Sequence, residues 1–342
     1  MKPGDVPPAN DPNTGWPVWG QKSAVAELQQ AVLRGPRHAW ILTGPDGAGK
    51  RLAARTFAKA LCCPMRKADS AAPCDSCAVC RRIDRGVFPD VVEFGLQQQI
   101  ERDGDKSRNL TLNVATVREV SASVSFRPTE SNWKVAIVND AETMQETAQE
   151  AFLKTLEEPP GYAVILLLAD DLDPILPTIQ SRCSIVRFGS VSVDDLATML
   201  QAAGESAAEA KAIADVAGGS PGWARRAIAD PEIRQARIQE ANEARVLVES
   251  APYDQLVACF RLADDFGKDR EGTLRRIGLL QVVWRDRLAA ALGLDGGVQD
   301  PAAAVKAIRA IKSVDECIAN LESNVRPRLV LESMVAKWQS PG

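Results

Sequence analysis

His38–Arg51 reads HAWILTGPDGAGKR, and this stretch decides the fold. An apolar run, Ala39 to Leu42, leads into Gly44-Pro45-Asp46-Gly47-Ala48-Gly49-Lys50, and a helix-forming segment over 52–61 follows. Strand, glycine loop and helix in that order make a P-loop. Gly44, Gly47 and Gly49 let backbone N–H groups turn inward around a phosphate, and the helix N-terminus adds its dipole. Lys50 is placed to reach the outer phosphates. The next position departs from the pattern. A Ser or Thr hydroxyl there ligates magnesium, and this chain has Arg51. Such a loop can hold a nucleotide but is poorly built to hydrolyse it.

Around the loop the chain alternates strands and helices. A helix is expected over 22–33, with Val25, Leu28 and Val32 on one face. Further strands are expected over 91–94, 133–139, 162–168 and 184–188, and helices over 114–124 and 144–156. The polar stretch Gln97–Asn109 reads as a loop. The unbroken apolar run over 162–168 suits a strand buried on both faces of a parallel sheet. The whole segment, 18–188, reads as a parallel α/β domain. Beyond Gly189 only helices are expected, with a small helical segment over 189–230 and a larger one over 231–342. There Leu274, Ile277, Trp284 and Leu288 are candidates for one buried face. Residues 1–17, rich in Pro and Asn, read as a flexible leader.

Composition narrows the function classes. The chain has 342 residues, 45% hydrophobic and 25% charged, with a net charge of −4. That charge argues against a free-standing nucleic-acid binder, which carries a basic domain. No apolar run is long enough to span a bilayer, so no membrane partner is expected. A cytoplasmic protein follows from the absence of a signal-peptide pattern, and its cysteines are not read as a disulfide framework.

Four of the eight cysteines form a pattern. Cys74, Cys77 and Cys80 are spaced C-x2-C-x2-C, and ten residues separate Cys63 from Cys74. Four thiolates in a short loop between structured elements suit tetrahedral zinc, and a four-cysteine shell leaves no open position for catalysis. Cys63 is taken as the fourth ligand because Pro64 should end the helix there. Its neighbour Cys62, assigned to the last helical turn, is the alternative.

An active P-loop ATPase also needs an acid at a strand end near the magnesium and a neighbour that positions water. Asp140 follows the third apolar run, but the next residue is Ala141, and Glu142 is expected to point elsewhere. Two magnesium-and-water functions are thus missing, at Arg51 and at Ala141.

Phe152-Leu153-Lys154-Thr155-Leu156-Glu157-Glu158-Pro159-Pro160, followed by Ser181-Arg182-Cys183, closely resembles bacterial clamp-loader subunits of the AAA+ class, which serve DNA polymerase III. The four-cysteine insertion belongs to the same pattern. The resemblance is to the non-motor branch more than to the ATPase gamma/tau branch, which has Ser/Thr after the P-loop Lys, Asp-Glu after the third strand and an Arg in the lid. This chain has Arg51, Ala141 and, in Gly219-Ser220-Pro221-Gly222, a glycine in place of that Arg. The resemblance implies an AAA+ domain with an inserted zinc module over 63–80, a helical lid over 189–230 and a helical oligomerisation collar over 231–342. It implies a five-membered ring with gamma/tau ATPase subunits and a delta subunit, acting on a sliding clamp and primed DNA. It also implies that Arg182 is an arginine finger for a neighbour's ATP. Two readings of the chain's own loop stay open: ATP or ADP bound without turnover, or an inherited loop that binds nothing, with Arg51 filling the phosphate site. The rival functions are an active ATPase motor of gamma/tau type and a zinc-dependent DNA-binding module.

Overall fold

Five apolar runs become five parallel strands: β1 (Ala39–Thr43), β2 (Val91–Phe94), β3 (Lys134–Val138), β4 (Ala163–Ala169) and β5 (Ser184–Arg187). They form one sheet in the order β2-β3-β4-β1-β5. This computed structural model describes residues 11, 14–103, 111–294, 298–323 and 325–339. The chain divides after Ala229 into two units.

The first unit carries the sheet and the helices α1 (Lys22–Arg34), α2 (Lys50–Cys62), α3 (Ala78–Asp84), α4 (Leu96–Asp103), α5 (Val114–Ser125), α6 (Glu146–Glu157), α7 (Pro177–Gln180), α8 (Val193–Ala202), α9 (Ala207–Val216) and α10 (Pro221–Ala229). Every residue of β1, β3 and β4 is buried, as strands covered by helices on both faces must be. Side chains alternate across the sheet. Trp40, Leu42 and Leu166 join Val25 and Leu28 of α1 and Phe57 of α2 in one core. Ala39, Ile41 and Ile165 join Val117 of α5 and Phe152 of α6 in the other.

Two expectations are corrected. The leader is shorter than residues 1–17: Trp16 is fully buried, and its indole N–H donates to the carbonyl of Ala71 at 3.2 Å. An isolated Trp in a Pro-rich stretch gives no periodicity from which burial could be read. Residues 1–10, 12 and 13 lie outside the described residues. The polar stretch expected as a loop begins with helix α4, and the remainder, 104–109, lies outside the described residues. Distant residues hold α4. The Leu96 N–H donates to Asp140 Oδ2 at 3.1 Å, and buried Gln99 donates to the Thr111 carbonyl at 2.8 Å. Gln99 Oε1 accepts from the Asn113 N–H at 3.0 Å and from Thr116 Oγ1 at 2.7 Å.

The second unit contains α11 (Pro231–Glu249), α12 (Pro252–Phe266), α13 (Arg270–Ala291), α14 (Pro301–Glu322) and α15 (Pro327–Gln339). Ile277 and Trp284 of α13 are buried, while Leu274 and Leu288 are half-buried. Trp284 meets Trp338 of α15 edge to face, with ring centroids 5.4 Å apart. The Trp338 indole N–H donates to Ser313 Oγ at 2.9 Å, which satisfies the polar end of a buried ring. Among the described residues, no helix is long and apolar enough to cross a membrane.

Asp90, fully buried just before β2, ties this edge of the sheet together. Its carboxylate accepts backbone N–H bonds from Thr129 at 2.7 Å, Glu130 at 2.7 Å and Ser131 at 2.9 Å. Burial opposes ionisation, but those three donors and the Lys134 ammonium outweigh it and hold the carboxyl below its ordinary 3.8. A depressed folded value means the stabilisation is complete above the unfolded value and is lost as pH falls through the folded one. Asp90→Ala leaves three part-buried backbone donors without their acceptor and is expected to cost about 3 kcal/mol at neutral pH. Urea denaturation should show that cost shrinking towards about pH 3, below the unfolded aspartate value; a cost unchanged with pH would contradict the account.

Candidate functional site

Parallel pairing brings the ends of β1 and β4 together: Thr43 is registered with Ala169, and the Gly44 N–H donates to the Ala169 carbonyl at 3.2 Å. The loop after β1 therefore starts beside Asp170. Gly44, Gly47 and Gly49 have φ of 140°, 72° and 100°, left-handed values that cost glycine little. A Cβ at Gly44 would lie 2.0 Å from the Phe188 carbonyl oxygen, so the loop tolerates no side chain there. α2 starts at Lys50, directly after the loop.

The loop opens onto a cleft of about 800 Å³. Lys50, Asp140, Glu142, Asp170 and Arg225 line it. The Lys50 ammonium donates to the carbonyls of Gly44 and of Pro45, the latter at 3.0 Å, and to Asp170 Oδ1 at 2.6 Å. An ammonium has three donors, and all three are engaged within the chain. Arg51 does not turn over the loop. It pairs with Glu93 of β2 at 2.7 Å, and Arg55 engages the other carboxylate oxygen of Glu93. Asp140, at φ 55°, directs Oδ2 to the start of α4, and Ala141 is fully buried.

Glu142 corrects the sequence expectation, because it lines the cleft instead of pointing elsewhere. Burial first, then the charges of Asp170 and Asp140, push its carboxyl above the usual range. The short 3-10 turn Ala141–Thr143 after β3 turns it inward, which a strand-to-helix reading of the sequence does not contain. Asp170 and Arg225 were also missed. An acid ending the longest apolar strand was the available signal for Asp170, but only the strand order puts it beside the loop. Arg225 lies over the ring of Trp19, 4.3 Å from its centroid, and burial lowers its guanidinium to about 10.

α10 closes on the loop through its first turn. The Gly222 N–H donates to the Gly47 carbonyl at 2.8 Å. A Cβ at Gly222 would stand 2.8 Å from that same oxygen. The position where an Arg marks the ATPase branch is thus a backbone-to-backbone contact.

Arg182 lies at the other end of the sheet. It follows α7 and precedes β5, whose register pairs Ser184 with Trp40 and Arg187 with Thr43. β5 therefore runs toward the glycine loop, and its length of roughly 13 Å separates Arg182 from that end. Its side chain, about one-third exposed, donates to Glu157 Oε1 at 2.6 Å and to the Thr178 carbonyl at 2.8 Å.

The sulfur atoms of Cys63, Cys74, Cys77 and Cys80 all lie within 4.8 Å of one another. Cys63 Sγ is 3.5 Å from Cys74 Sγ and 3.9 Å from Cys77 Sγ, and Cys74 Sγ is 4.0 Å from Cys80 Sγ. Tetrahedral zinc at its usual sulfur distance of about 2.3 Å sets sulfurs about 3.8 Å apart, so this group fits zinc. The N–H of Cys77 points at Cys74 Sγ at 3.3 Å and that of Cys80 at Cys77 Sγ at 3.4 Å, which favours thiolates. Lys59 of α2 braces the loop, donating to Asp75 Oδ1 at 2.6 Å and lying 3.1 Å from Asp84 Oδ1. Cys62 ends α2 with its sulfur 4.0 Å from the Trp133 carbonyl. Metal analysis should find zinc in the wild-type chain and in Cys62→Ser, and little in Cys77→Ser. Equal zinc in Cys77→Ser and the wild type would refute this ligand set.

A family model described as "DNA polymerase III, delta subunit" matches residues 20–192. The chain is similar to the DNA polymerase III subunit gamma of Buchnera aphidicola subsp. Schizaphis graminum, 30% identical over 185 residues, or 54% of this chain and 47% of the relative. It is also similar to the DNA polymerase III subunit delta' of Pseudomonas aeruginosa, 35% identical over 146 residues, covering 43% of this chain and 41% of the relative. The match thus spans less than half the length of each of these relatives. Among solved structures, a gamma subunit-related protein of Thermotoga maritima aligns over 92% of this chain and 98% of its own, with 18% identity and a TM-score of 0.43.

Proposed function

The chain belongs to the DNA polymerase III clamp-loader family, and within it we propose that it is a delta-prime-type subunit that does not turn over ATP and lends Arg182 to a neighbour that does. In this reading it is an AAA+ subunit of a cytoplasmic five-membered ring with gamma/tau ATPase subunits and a delta subunit. Residues 189–230 act as its lid and 231–342 as its part of the collar. The ring opens a sliding clamp and sets it on primed DNA. Zinc on Cys63, Cys74, Cys77 and Cys80 is structural and braces the end of α2.

The observation that carries the reading is the separation of the two chemical ends of β1 and β5. Arg182 sits just before β5 and the glycine loop at the end of β1, so Arg182 stands at the opposite end of these strands from its own loop. Its guanidinium serves a phosphate only on another chain. A planar fork of N–H donors pairs well with carboxylate and with phosphate oxygens. Glu157, which pairs with Arg182 here, can therefore exchange with a phosphate of similar geometry. At a transferring phosphoryl group, a guanidinium supplied in trans stabilises the charge on the equatorial oxygens.

The similarity to gamma subunits favours a second reading, an ATPase motor. Against it stand the missing hydroxyl at Arg51, the buried Ala141, and Gly222 pressed against the loop. The test reconstitutes the ring with gamma/tau, delta, clamp and primed DNA, and compares the wild type with Arg182→Ala. Gel filtration should show normal assembly, and ATP turnover by the ring should fall severalfold. An intact ring with unchanged turnover would end the finger-donor reading.

A further inference from the structure

The glycine loop is shaped for phosphate, yet the residues around it do not fit a nucleoside triphosphate. Lys50 is the cation such a ligand needs, and its side chain is only 10% exposed. Each of its three donors already has an acceptor: two loop carbonyls and Asp170. The carbonyls belong to the loop itself and remain whether or not a ligand binds. Asp170 is the acceptor a ligand has to displace.

Three facts make Asp170 more than a passing surface partner. The β1–β4 register fixes its backbone beside Gly44, so the carboxylate cannot move far from the loop. Its own side chain is half exposed, 53%, and faces the cleft that a ligand would enter. Two more acids, Asp140 and Glu142, line the same cleft. Arg51 and Arg225 line it as well, the first paired with Glu93 and the second lying over the ring of Trp19. The cleft therefore offers carboxylates where the outermost phosphate of a nucleotide would bring more negative charge.

We infer that Asp170 is a built-in substitute for a terminal phosphate, which saturates Lys50 and excludes nucleoside triphosphates from the P-loop. A P-loop lysine reaches the outer phosphates, so the carboxylate at its tip conflicts most with the last phosphate of a triphosphate. A diphosphate is shorter and meets less of it. The selectivity is the reverse of what an ATP-driven motor requires. The lid adds to it, because Gly222 lies against the Gly47 carbonyl and leaves no room for a side chain that could bind the displaced charge.

This inference rests on the reading of the chain as a subunit without turnover, and its test measures binding alone. Isothermal titration calorimetry of the full chain with ATP and with ADP compares the wild type, Asp170→Asn and Asp170→Ser. A thermal melt checks that each variant is folded, and the exposed position of the side chain permits both changes. The expected result is at least a tenfold tightening for ATP in both variants, with a smaller change for ADP. A wild type that binds ATP as tightly as ADP would overturn the inference. So would variants that tighten neither nucleotide, or both equally. None of these outcomes bears on Arg182, whose role is read from turnover in the ring.

Discussion

The parallel register of β1 between β4 and β5 is the constraint on which the chemistry of this chain depends. It runs three strands the same way, so residues that follow them gather at one edge and residues that precede them at the other. Gly44 to Lys50 and Asp170 meet at the first edge because Thr43 is registered with Ala169. Arg182 stands at the second because Ser184 is registered with Trp40. Helix α2 repeats the division. Its 13 residues, about 20 Å of helix, run from Lys50 at the loop to Cys62 beside the four-cysteine group. One end of the unit is shaped for phosphate, and the other carries an arginine and the four-cysteine loop.

The strength of the first end is also its restriction. A P-loop lysine is useful when its charge is short of partners. Here the same hydrogen-bond capacity that makes Lys50 a phosphate ligand is met by two carbonyls and a carboxylate. Burial of the Lys50 ammonium strengthens its bonds to the two loop carbonyls, while the Asp170 carboxylate stays half exposed to the cleft. Arg51 completes the change by joining Arg55 on Glu93, which adds a link between α2 and β2 where a magnesium ligand would otherwise be.

Much of this was legible from the sequence. Continuous apolar runs gave the five strands because both faces of this sheet are covered, and glycine spacing gave the loop. Cysteine spacing singled out Cys63, Cys74, Cys77 and Cys80, and Pro64 argued for Cys63 over Cys62. What escaped depended on residues far apart in the chain. α4 is polar throughout its exposed side and is held by Asp140, 44 residues away from Leu96, and by the partners of buried Gln99. Asp170 has no motif of its own. It acquires a role only when β4 takes its place beside β1, and the order of strands in a sheet is not written in their order along the chain. Trp16 and Glu142 were misplaced for the same reason, since their surroundings are made by tertiary contacts.

The central claim is that this chain serves a neighbour's nucleotide site and does not work its own. The most direct measurement is ATP turnover by the purified chain alone, with magnesium and primed DNA present. The account predicts no turnover above a protein-free blank. Steady turnover that disappears in Lys50→Ala would contradict it and would return the chain to the motors of its family.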